Sequence, residues 1–421
     1  MRVLILSQYF WPESFRINEV AQSLRDVGCE VSVLTGQPNY PDGAVFKGYR
    51  ALATGREEFV GCHVYRVPLA PRGRGSAFRL AANYLSFVFF ASTAGCWLLR
   101  GQRFDVIFVY GISPILQAVP GFVLRRCTGA ALVVWVQDLW PQSLEVTGFL
   151  RNRWALAMVT SVVRRIYRRS DLLLVQSEGF LPMVRAMSGK TPVEYHPNPG
   201  ELAFNAQPEG KPALVFEAGF NIVFAGNLGT VQALDTVLAA AQLLRDLPSV
   251  RFVLIGSGSR GEWLQREVQR LGLTNVQLPG RLAAEKMPAI LAQASALLVT
   301  LARSPIMSQT VPSKIQAYLA AGRPIIGSLD GEGASVIDQA AAGVACPAED
   351  AGALADAIRR LYSTPAPELH RMGQSGRLYY EKHFEPGVLA TRLAQRFTDL
   401  VAARGQPRAN RTPDETRTGN G

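Results

Sequence analysis

Closely spaced cysteines are absent from this sequence, and histidines are few. Its 421 residues include five cysteines, none in a C-x-x-C arrangement, and four histidines. Isolated cysteines in apolar surroundings are typical of small buried residues, whereas disulfide frameworks and zinc sites need closely spaced cysteines. We therefore expect free thiols in a reduced compartment.

An export signal is also missing from the first residues. The N-terminal sequence MRVLILSQYF contains one arginine and a short apolar run that ends at Trp11 and Pro12. This run is too short for the apolar core of a signal peptide, and it predicts a first β-strand instead. We therefore expect a cytoplasmic protein.

Charged residues are absent from one long stretch, residues 80–99. A stretch of this length can span a bilayer as a helix. However, polar residues such as Asn83 interrupt it, and Arg79 and Arg100 flank its two ends, so no orientation in a membrane is indicated. A strand-like segment follows at 105–111, as expected after a helix that packs on a sheet. We predict a helix that is buried or faces a membrane, and not one that crosses it.

Acidic residues are few in the first half of the chain only. The net charge is +11, and residues 1–200 carry 22 Lys+Arg against 13 Asp+Glu, whereas residues 201–421 carry 22 against 20. A basic N-terminal half indicates an anionic partner for that half. Composition alone leaves open whether the partner is nucleic acid, a phosphorylated substrate or an anionic membrane.

The sequence does contain a regular alternation of short apolar runs with helical patterns. Continuous apolar runs indicate a parallel sheet that is covered on both faces, and their alternation with helices indicates right-handed βαβ winding. The predicted strands are 3–7, 31–35, 63–67, 106–110, 132–136, 172–176, 222–225, 252–255, 276–278, 297–301, 325–328 and 344–346. The predicted helices include 17–27, 234–244, 262–271, 287–293, 314–321 and 354–361.

The length of the chain fits two domains of about 200 residues each. Residues 197–211 are rich in Pro, Gly and polar side chains and indicate a linker. We therefore predict an α/β fold with two facing, doubly wound, Rossmann-like parallel-sheet lobes, residues 1–200 and 201–384. Their cleft would lie at the carboxyl ends of the strands, where open α/β sheets bind ligands. Residues 404–421 have almost no apolar content and are predicted to be disordered.

Two strand-to-helix turns in the second half are rich in glycine. They are IVFAGNLG at 222–229, with a helix expected from about Val231, and FVLIGSGSR at 252–260. Such turns bring backbone N–H groups close to a phosphate, although a turn that simply needs glycine would look the same. The second turn lacks G-x-G-x-x-G spacing and is not the first βα turn, which argues against a hydride-transferring enzyme.

A lysine lies at the start of another predicted helix. The sequence SQTVPSKIQAYLAAGRP, residues 308–324, leads through Pro312 into a helix that ends at Gly322. We expect Ser313 to cap this helix. Lys314 in the first turn is then opposed by the helix dipole, so an anionic partner is favoured over plain exposure to solvent.

These segments, with QYFWPE at 8–13, TGQPNYPDG at 35–43, QDLWPQS at 137–143 and GEGA at 331–334, resemble the retaining GT-B glycosyltransferases of family four. Within that family the chain is similar to the N-acetylfucosamine-type transferases that build bacterial O-antigen and capsule repeats. The resemblance covers about residues 1–400, and it implies that a C-terminal helix, about 385–403, returns to the first lobe. It implies a nucleotide diphosphate in the second lobe, an acceptor in the first lobe and retention of the anomeric configuration. It also implies no cofactor and no essential metal.

The resemblance implies a set of donor-binding residues, which are Gly226, Asn227, Gly229, Gly256, Gly258, Arg281, Gln309, Ser313 and Lys314. Some positions depart from the family. Asn227 and Gln232 stand where many members have the cationic pair that neutralises the leaving diphosphate. Gln309 and Ala317 stand where the family has two glutamates, of which the second normally holds the ribose hydroxyls. Gln137 replaces a frequent histidine.

Catalysis without a metal is chemically possible with these residues. Fixed hydrogen-bond donors aimed at the leaving diphosphate are the largest available catalytic contribution, and the 226–229 turn, Lys314 and neighbouring amides offer them. The Asp-x-Asp motif of single-lobed, metal-dependent transferases is absent, and Asp330-Gly-Glu332 indicates only a turn. Asp138 and Glu13 are predicted to orient or deprotonate the acceptor hydroxyl, with a purely structural carboxylate as the alternative for each.

Arginines in the first half indicate where the acceptor side faces. A cluster at a predicted helix end comprises Arg164, Arg165, Arg168 and Arg169, and the other arginines considered with it are Arg72, Arg74, Arg79, Arg125 and Arg126. An anionic membrane attracts such residues by about 1 kcal/mol each, although arginines in a last helical turn also suit the dipole. Stacking aromatics do not alternate with them, which argues against nucleic acid.

We therefore predict an enzyme on the inner face of the cytoplasmic membrane, with a polyprenyl-diphosphate-linked saccharide as acceptor and Trp11 and Asn39 among the acceptor residues. The resemblance implies a UDP donor that carries an N-acetylated hexosamine or deoxyhexosamine. Two other functions stay open. A nucleotide-sugar 2-epimerase would need acid and base groups in the cleft, and a non-catalytic nucleotide-sugar-binding scaffold is favoured by Ala317 and the missing cationic pair.

Overall fold

Each half of the chain folds around its own mainly parallel sheet. The computed structural model describes residues 1–73, 76–146, 152–204 and 214–405. Arg74, residues 205–211 of the predicted linker and residues 406–421 of the predicted tail lie outside the described residues. The prediction of two doubly wound α/β lobes is confirmed.

The first sheet has eight strands in the order β3-β4-β2-β1-β5-β6-β7-β8. They are β1 (Arg2–Leu6), β2 (Glu30–Thr35), β3 (Gly55–Phe59), β4 (Cys62–Arg66), β5 (Val106–Gly111), β6 (Ala131–Val136), β7 (Leu172–Val175) and β8 (Val193–Tyr195). Only β3 pairs antiparallel, with β4. The fully buried central strands β5 and β6 explain the continuous apolar runs in the sequence.

Helices cover both faces of the first sheet. They are α1 (Arg16–Asp26), α2 (Ala77–Ser92), α3 (Ala94–Leu98), α4 (Val119–Thr128), α5 (Gln142–Val146), α6 (Arg153–Arg169) and α7 (Leu181–Ser188). Helices α2, α4, α6 and α7 bury their apolar sides on one face, and α1 packs on the other. Local signals fix several helix ends. Gly28 follows α1 at a φ of 88°, and the Asn152 side chain accepts hydrogen bonds from the first turn of α6.

The uncharged stretch at 80–99 forms helices that pack on the sheet. Asn83, Phe87 and Ala91 on α2 are buried. Helix α2 ends at Ser92, and α3 begins after Thr93. The predicted sheet-packed helix is therefore confirmed. In the described parts of the chain, no helix combines the length and apolarity needed to cross a bilayer. All five cysteines are free thiols.

The second sheet has six parallel strands in the order β11-β10-β9-β12-β13-β14. They are β9 (Phe220–Asn227), β10 (Val250–Ser257), β11 (Val276–Gly280), β12 (Ala296–Thr300), β13 (Ile325–Ser328) and β14 (Gly343–Cys346). The helices are α8 (Leu234–Leu243), α9 (Gly261–Arg270), α10 (Met287–Leu291), α11 (Pro305–Ser308), α12 (Ser313–Ala321), α13 (Glu332–Gln339), α14 (Ala351–Ser363), α15 (Ala366–His383) and α16 (Pro386–Gly405). All six strands were predicted from the sequence, but α11, α13 and α15 were not.

The last helix, α16, lies on the first lobe. Its residues Leu393 and Phe397 are buried against α1 and the first sheet, and the Phe397 ring lies 5.3 Å from the ring of Phe108. Arg396 binds Glu194 with two hydrogen bonds of 2.6 and 2.7 Å. The C-terminal helix thereby fastens the second lobe to the first.

The two lobes meet at the carboxyl ends of their strands. Just after β7, the Ser177 hydroxyl donates a 2.6 Å hydrogen bond to the carbonyl of Gln309 in the second lobe. At the start of α1, Arg16 pairs with Glu201 at 3.4 Å. The cleft between the lobes is therefore lined by the loops that follow the strands, as the topology requires.

Candidate functional site

A cavity of about 610 Å³ opens at the carboxyl edge of the second sheet. Its walls come from the ends of β9 and β10, the loop after β11, helix α10 and the first turns of α12. The lining residues are Glu201, Phe204, Ala225, Gly226, Asn227, Ile255, Gly256, Ser257, Arg281, Leu282, Ala283, Ala284, Met287, Leu291, Ser313, Lys314, Ala317 and Tyr318. The volume suits a small organic ligand.

Two glycines allow the strand ends to meet at one end of this cavity. Gly226 and Gly256 have φ angles of 144° and 148°, which side-chain-bearing residues rarely adopt. A Cβ atom on Gly256 would lie 1.8 Å from the carbonyl oxygen of Gly226, and one on Gly226 would lie 2.7 Å from Cε of Lys314. Glycine is therefore required at both positions for the close approach of β9, β10 and Lys314.

Lys314 is a buried cation at the same end of the cavity. Its ammonium donates a hydrogen bond to the amide oxygen of Gln232 and lies 4.6 Å from the ring centroid of Phe224. No carboxylate pairs with it in the described part of the chain. Burial lowers the pKa of Lys314 to about 8. This ammonium therefore has neutral partners and no compensating negative charge.

The start of α12 differs from the prediction. Pro312 occupies the N-cap position and Ser313 is the first helical residue, and no side chain caps the helix. The prediction that Ser313 caps α12 is therefore wrong, because the helix begins at Ser313, one residue earlier than expected. The first backbone N–H groups of a helix have no partner inside the helix. The uncapped start of α12 thus adds N–H donors beside Lys314.

Another part of the cavity wall is apolar. Phe204 is buried against α12, and Leu282, Met287 and Leu291 complete this surface. The Tyr318 hydroxyl is held by the backbone of Ala225, with the Ala225 N–H donating at 2.9 Å. The cavity therefore joins a cationic, glycine-rich end to an apolar end, as a ligand with a charged group and a flat apolar group would need.

The predicted donor-binding residues divide into two groups. Gly226, Asn227, Gly256, Arg281, Ser313 and Lys314 line the cavity. Gly229 and Gly258 lie behind it, because a Cβ on either would contact the Asn227 side chain at 2.7 Å or less. Gln309 lies at the contact between the lobes, where its carbonyl accepts the hydrogen bond from Ser177, and not on the cavity wall.

Asp138 lies at the carboxyl end of β6 in the first lobe. Its Oδ2 atom accepts hydrogen bonds from the Ser113 N–H at 2.7 Å and the Ser113 hydroxyl at 2.8 Å. The Trp140 indole N–H donates to the same hydroxyl at 2.9 Å. Within the described residues, Oδ1 accepts no hydrogen bond. The carboxylate is thus held firmly on one side and open on the other.

Glu13 is not open in this way. Its carboxylate accepts hydrogen bonds from the backbone N–H groups of Phe10, Asn39 and Tyr40, at 3.2, 2.8 and 2.7 Å. The side chain is buried, and this burial raises its pKa to about 7. The catalytic role of Glu13 stays a prediction, and the structure shows that its carboxylate also joins the first loop to residues 39–40.

Asn39, whose role as an acceptor residue stays a prediction, is likewise part of a buried network. Its side chain donates to the carbonyl of Gln37 and accepts hydrogen bonds from the Arg72 N–H and the Asn83 amide. Asn83 in turn accepts a hydrogen bond of 2.7 Å from the Gln8 amide. Asn39 therefore shapes the loop, whereas Trp11 beside it remains 37% exposed and available for contact.

The four clustered arginines lie on the outer surface of α6. With Met158, Ser161 and Val162 they line a groove of about 600 Å³. None of the four forms an ion pair with a carboxylate in the residues that the structure describes. The same helix exposes Trp154 and Met158, by 86% and 66%. The groove is therefore basic and has an apolar border.

Several wall residues were not predicted from the sequence, among them Glu201, Phe204, Ser257, Met287 and Tyr318. Glu201 and Phe204 lie in a segment that was interpreted as a linker. An isolated aromatic residue in an otherwise polar linker was the one signal that this segment packs on a lobe. The others belong to elements that were predicted correctly, but their orientation toward the cavity depends on tertiary packing.

Two family models match this chain and together cover most of it. The model described as "Glycosyl transferase 4-like domain" matches residues 14–199. The model described as "Glycosyl transferases group 1" matches residues 219–364. The second match contains both glycine turns and Lys314, and the first contains Asp138 and the arginine groove.

Two curated relatives are similar over most of their length. WcaI of Escherichia coli K12, whose name assigns it to colanic acid biosynthesis as a glycosyl transferase, is 27% identical over 340 residues. The match covers 76% of this chain and 82% of WcaI. WbjE of Pseudomonas aeruginosa, which is named as a glycosyltransferase, is 26% identical over 309 residues, with 70% and 74% covered.

The solved structures share the architecture at low sequence identity. Alr3699/HepE of Anabaena, crystallised with UDP, superposes with a TM-score of 0.65 at 14% sequence identity. The match covers 95% of the present chain and 100% of the Alr3699/HepE chain. This similarity shows the GT-B fold. Together with the two family models, it shows that the chain belongs to the group 1 glycosyltransferases and is a glycosyltransferase with two GT-B lobes.

Proposed function

We propose that the protein transfers a sugar from a nucleoside diphosphate donor to a lipid-linked saccharide, with retention of anomeric configuration. UDP is the proposed nucleotide, and an N-acetylated hexosamine or deoxyhexosamine is the proposed sugar. The reaction would take place on the inner face of the cytoplasmic membrane, with the enzyme bound peripherally. Its product would enter a bacterial surface polysaccharide.

One observation carries this proposal, namely the buried Lys314 ammonium without a carboxylate partner. Burying an unpaired charge is costly, so such a cation persists where a ligand supplies the opposite charge. The cavity end that holds it also offers the N–H groups of the α12 start and the glycine strand ends. A diphosphate carries the charge and the oxygen acceptors that suit this end.

The cavity also has a wall that suits the base of a nucleotide. A base fits the apolar end formed by Phe204, Leu282 and Leu291, since ligand pockets combine apolar walls with a few placed polar groups. The solved complex of Alr3699/HepE contains UDP. This favours UDP as the first nucleotide to test with the present chain.

The chemistry that follows is a displacement at the anomeric carbon in which the acceptor attacks from the same face that the diphosphate leaves, because attack from the opposite face would invert the configuration. The bond from that carbon to the diphosphate oxygen breaks, and the acceptor hydroxyl oxygen forms the new bond. Lys314 and the nearby N–H groups stabilise the negative charge that develops on the leaving diphosphate. Asp138, with its free oxygen Oδ1, orients the acceptor hydroxyl and takes its proton.

The acceptor assignment draws support from the outer surface of the first lobe. Exposed apolar residues on α2 and α3 include Phe78, Leu85, Phe89 and Trp97, and the arginine groove lies on the same face of the sheet. An amphipathic surface with arginines fits an anionic membrane. The names of WcaI and WbjE favour polysaccharide synthesis as the setting.

The epimerase alternative finds no support in the cavity. His63, His196, His370 and His383 are all described, and none of them lines it. His196 is buried beneath Trp135, and burial lowers its pKa to about 4. The cations on the cavity wall are Arg281 and Lys314, which suit the binding of a diphosphate.

Turnover tests the proposed function. The enzyme would be incubated with UDP-, GDP- and ADP-linked sugars and a short polyprenyl-diphosphate disaccharide, and the released nucleoside diphosphate would be measured. We expect release only with acceptor present, and NMR of the product should show the donor's anomeric configuration. Epimerised nucleotide sugar without transfer would contradict the proposal, and nucleotide binding without any turnover would favour the scaffold alternative.

A further inference from the structure

One carboxylate lines the cavity in the described part of the chain, and it comes from the segment between the lobes. Glu201 lies just before the short 3-10 helix Leu202–Phe204, and its carbonyl accepts a 3.1 Å hydrogen bond from the Phe204 N–H. Phe204 is buried against α12. The turn is therefore fixed on the second lobe, which holds Glu201 on the cavity wall.

Glu201 shares the wall of the proposed nucleotide site with Lys314, Ala317 and Phe204. The cationic end is marked by Lys314 at the start of α12, and Ala317, one turn further along the helix, also lines the cavity. Phe204, three residues after Glu201, belongs to the apolar end. The Glu201 carboxylate is therefore on the wall of the cavity that the proposed nucleotide would fill.

The Glu201 side chain is partly free to bind a ligand. Its side chain is 39% exposed, and its recorded partner is Arg16 on α1, at 3.4 Å from Oε1. Arg16 contacts Glu19 more closely, so the Glu201 carboxylate is held loosely by a cation that already has a partner. Its Oε2 atom accepts no hydrogen bond from the described residues.

A free carboxylate and a ribose are chemically matched. An ionised carboxylate only accepts hydrogen bonds, and its two oxygens can accept both donors of a vicinal diol. The other polar side chains of the wall, on Asn227, Ser257, Arg281, Ser313 and Lys314, all carry hydrogen-bond donors, and Glu201 is the carboxylate among the described wall residues. Ala317 offers only a methyl group at the position one turn from Lys314, which leaves space for the sugar ring.

We propose that Glu201 accepts hydrogen bonds from the ribose hydroxyls of the donor nucleotide. This inference rests on the proposed function, because it places a nucleotide in the cavity. It makes the segment between the lobes part of the donor site. It also links ribose binding to the first lobe, since Arg16 holds the same carboxylate.

A double-mutant cycle on protein and ligand tests the inference. Calorimetry would compare UDP, GDP and ADP with their 2′,3′-dideoxy analogues on the wild type, Glu201→Gln and Glu19→Gln. Hydrogen bonds to a charged group predict that Glu201→Gln weakens binding of the ribonucleotide about tenfold or more. The dideoxy analogue should bind the wild type and Glu201→Gln equally. Glu19→Gln, which changes the other Arg16 partner, should keep the preference for the ribonucleotide.

Two outcomes would overturn the inference in different ways. If the wild type binds a ribonucleotide and Glu201→Gln keeps the same preference over the dideoxy form, Glu201 does not bind the ribose and the proposed function stands. If no nucleotide binds the wild type, the proposed function fails together with the inference. Equal melting temperatures of the three proteins, within about 2 °C, show that the substitution has not disturbed the fold.

Discussion

At the residue scale, the contacts of Lys314 mark the anion-binding end of the cavity. Its ammonium is held by the neutral Gln232 amide and the Phe224 ring, 82 and 90 positions away in the chain. These partners orient the group without neutralising it. The Gly226 backbone beside it leaves no room for a side chain. The site can therefore bind an anion. Without an anion, the buried ammonium lowers the stability of the folded protein.

The lowered pKa of Lys314 predicts a pH dependence of nucleotide binding. A bound diphosphate stabilises the charged ammonium, so binding raises its pKa and takes up a proton near pH 8. Binding should be strong at pH 7 and weaken by about tenfold for each pH unit above 8. Calorimetry with UDP between pH 7 and 10, in buffers of different ionisation enthalpy, measures both effects.

Lys314→Arg is the matched control for this prediction. Arginine keeps its charge throughout this range, so its affinity for UDP should stay constant from pH 8 to 10 even if it is lower overall. An equal decline in both proteins would show that another group titrates.

Asp138 gives a second prediction at the residue scale. Asp138→Asn keeps the size of the side chain but removes the base, so kcat should fall by about 10²- to 10⁴-fold while the KM for the donor changes little. The control is Asp105→Asn, because Asp105 binds the Arg2 N–H at the other end of β5. Equal losses in both variants, or a loss of donor binding, would contradict the role of Asp138.

At the scale of elements, α16 is predicted to stabilise the first lobe. The Phe397 side chain is fully buried and packs on Phe108, which itself stacks on Trp135. Phe397→Ala should therefore destabilise this lobe by about 3–5 kcal/mol. Urea unfolding followed by tryptophan fluorescence measures this, because five of the six tryptophans lie in the first lobe.

Phe78→Ala is the control for α16. This phenylalanine is 82% exposed on α2, so its loss should change stability by no more than about 0.5 kcal/mol. A comparable effect of the two substitutions would mean that α16 does not support the lobe.

Helix α6 carries the prediction about the membrane. Replacing Arg164, Arg165, Arg168 and Arg169 by alanine should abolish sedimentation with vesicles that contain 30% phosphatidylglycerol at low salt, since each arginine contributes about 1 kcal/mol. The control replaces four exposed arginines of the second lobe, namely Arg266, Arg270, Arg360 and Arg371. Membrane binding that is lost equally in both variants would indicate a general charge effect and no specific surface.

Strong apolar periodicity made most elements predictable, and its absence explains the omissions. The buried strands and α1, α8 and α12 follow from continuous or helical apolar patterns. Strand β3 has the sequence GREEF and lies at the sheet edge with alternating exposure, so its pattern was weak. Strand β8 has only three residues. Helices α11, α13 and α15 were also missed. Helix α11 has only four residues, α13 follows a turn-like Gly331, and α15 contains Gly373 and Gly376, which weaken a helical pattern.

The site was harder to predict than the fold. The glycine turns and Lys314 were found because their local sequence departs from ordinary strand and helix patterns. Glu201 was missed because its position depends on where the segment between the lobes packs. Ser313 was wrongly predicted to be an N-cap because the exact start of α12 could not be read from the sequence. Glu13 and Asp138 are both acidic residues at loop positions, and only their hydrogen-bond partners distinguish the buried one from the open one.

At the scale of the whole molecule, the two lobes divide the proposed reaction between them. The cavity with Lys314 lies in the second lobe, and Asp138 and the arginine groove lie in the first. The lobes are joined by α16, by the Ser177 hydrogen bond and by the pair of Arg16 with Glu201. Donor and acceptor would therefore meet across the cleft, where movement of the lobes can exclude water.

The most direct test of this account is a calorimetric titration of UDP into the wild type, Lys314→Ala and Lys382→Ala. Lys382 is an exposed lysine of α15 that does not line the cavity. The account predicts that UDP binds the wild type and Lys382→Ala alike and that Lys314→Ala loses at least tenfold in affinity. Equal binding to all three proteins, or no binding of UDP, GDP or ADP to the wild type, would contradict it.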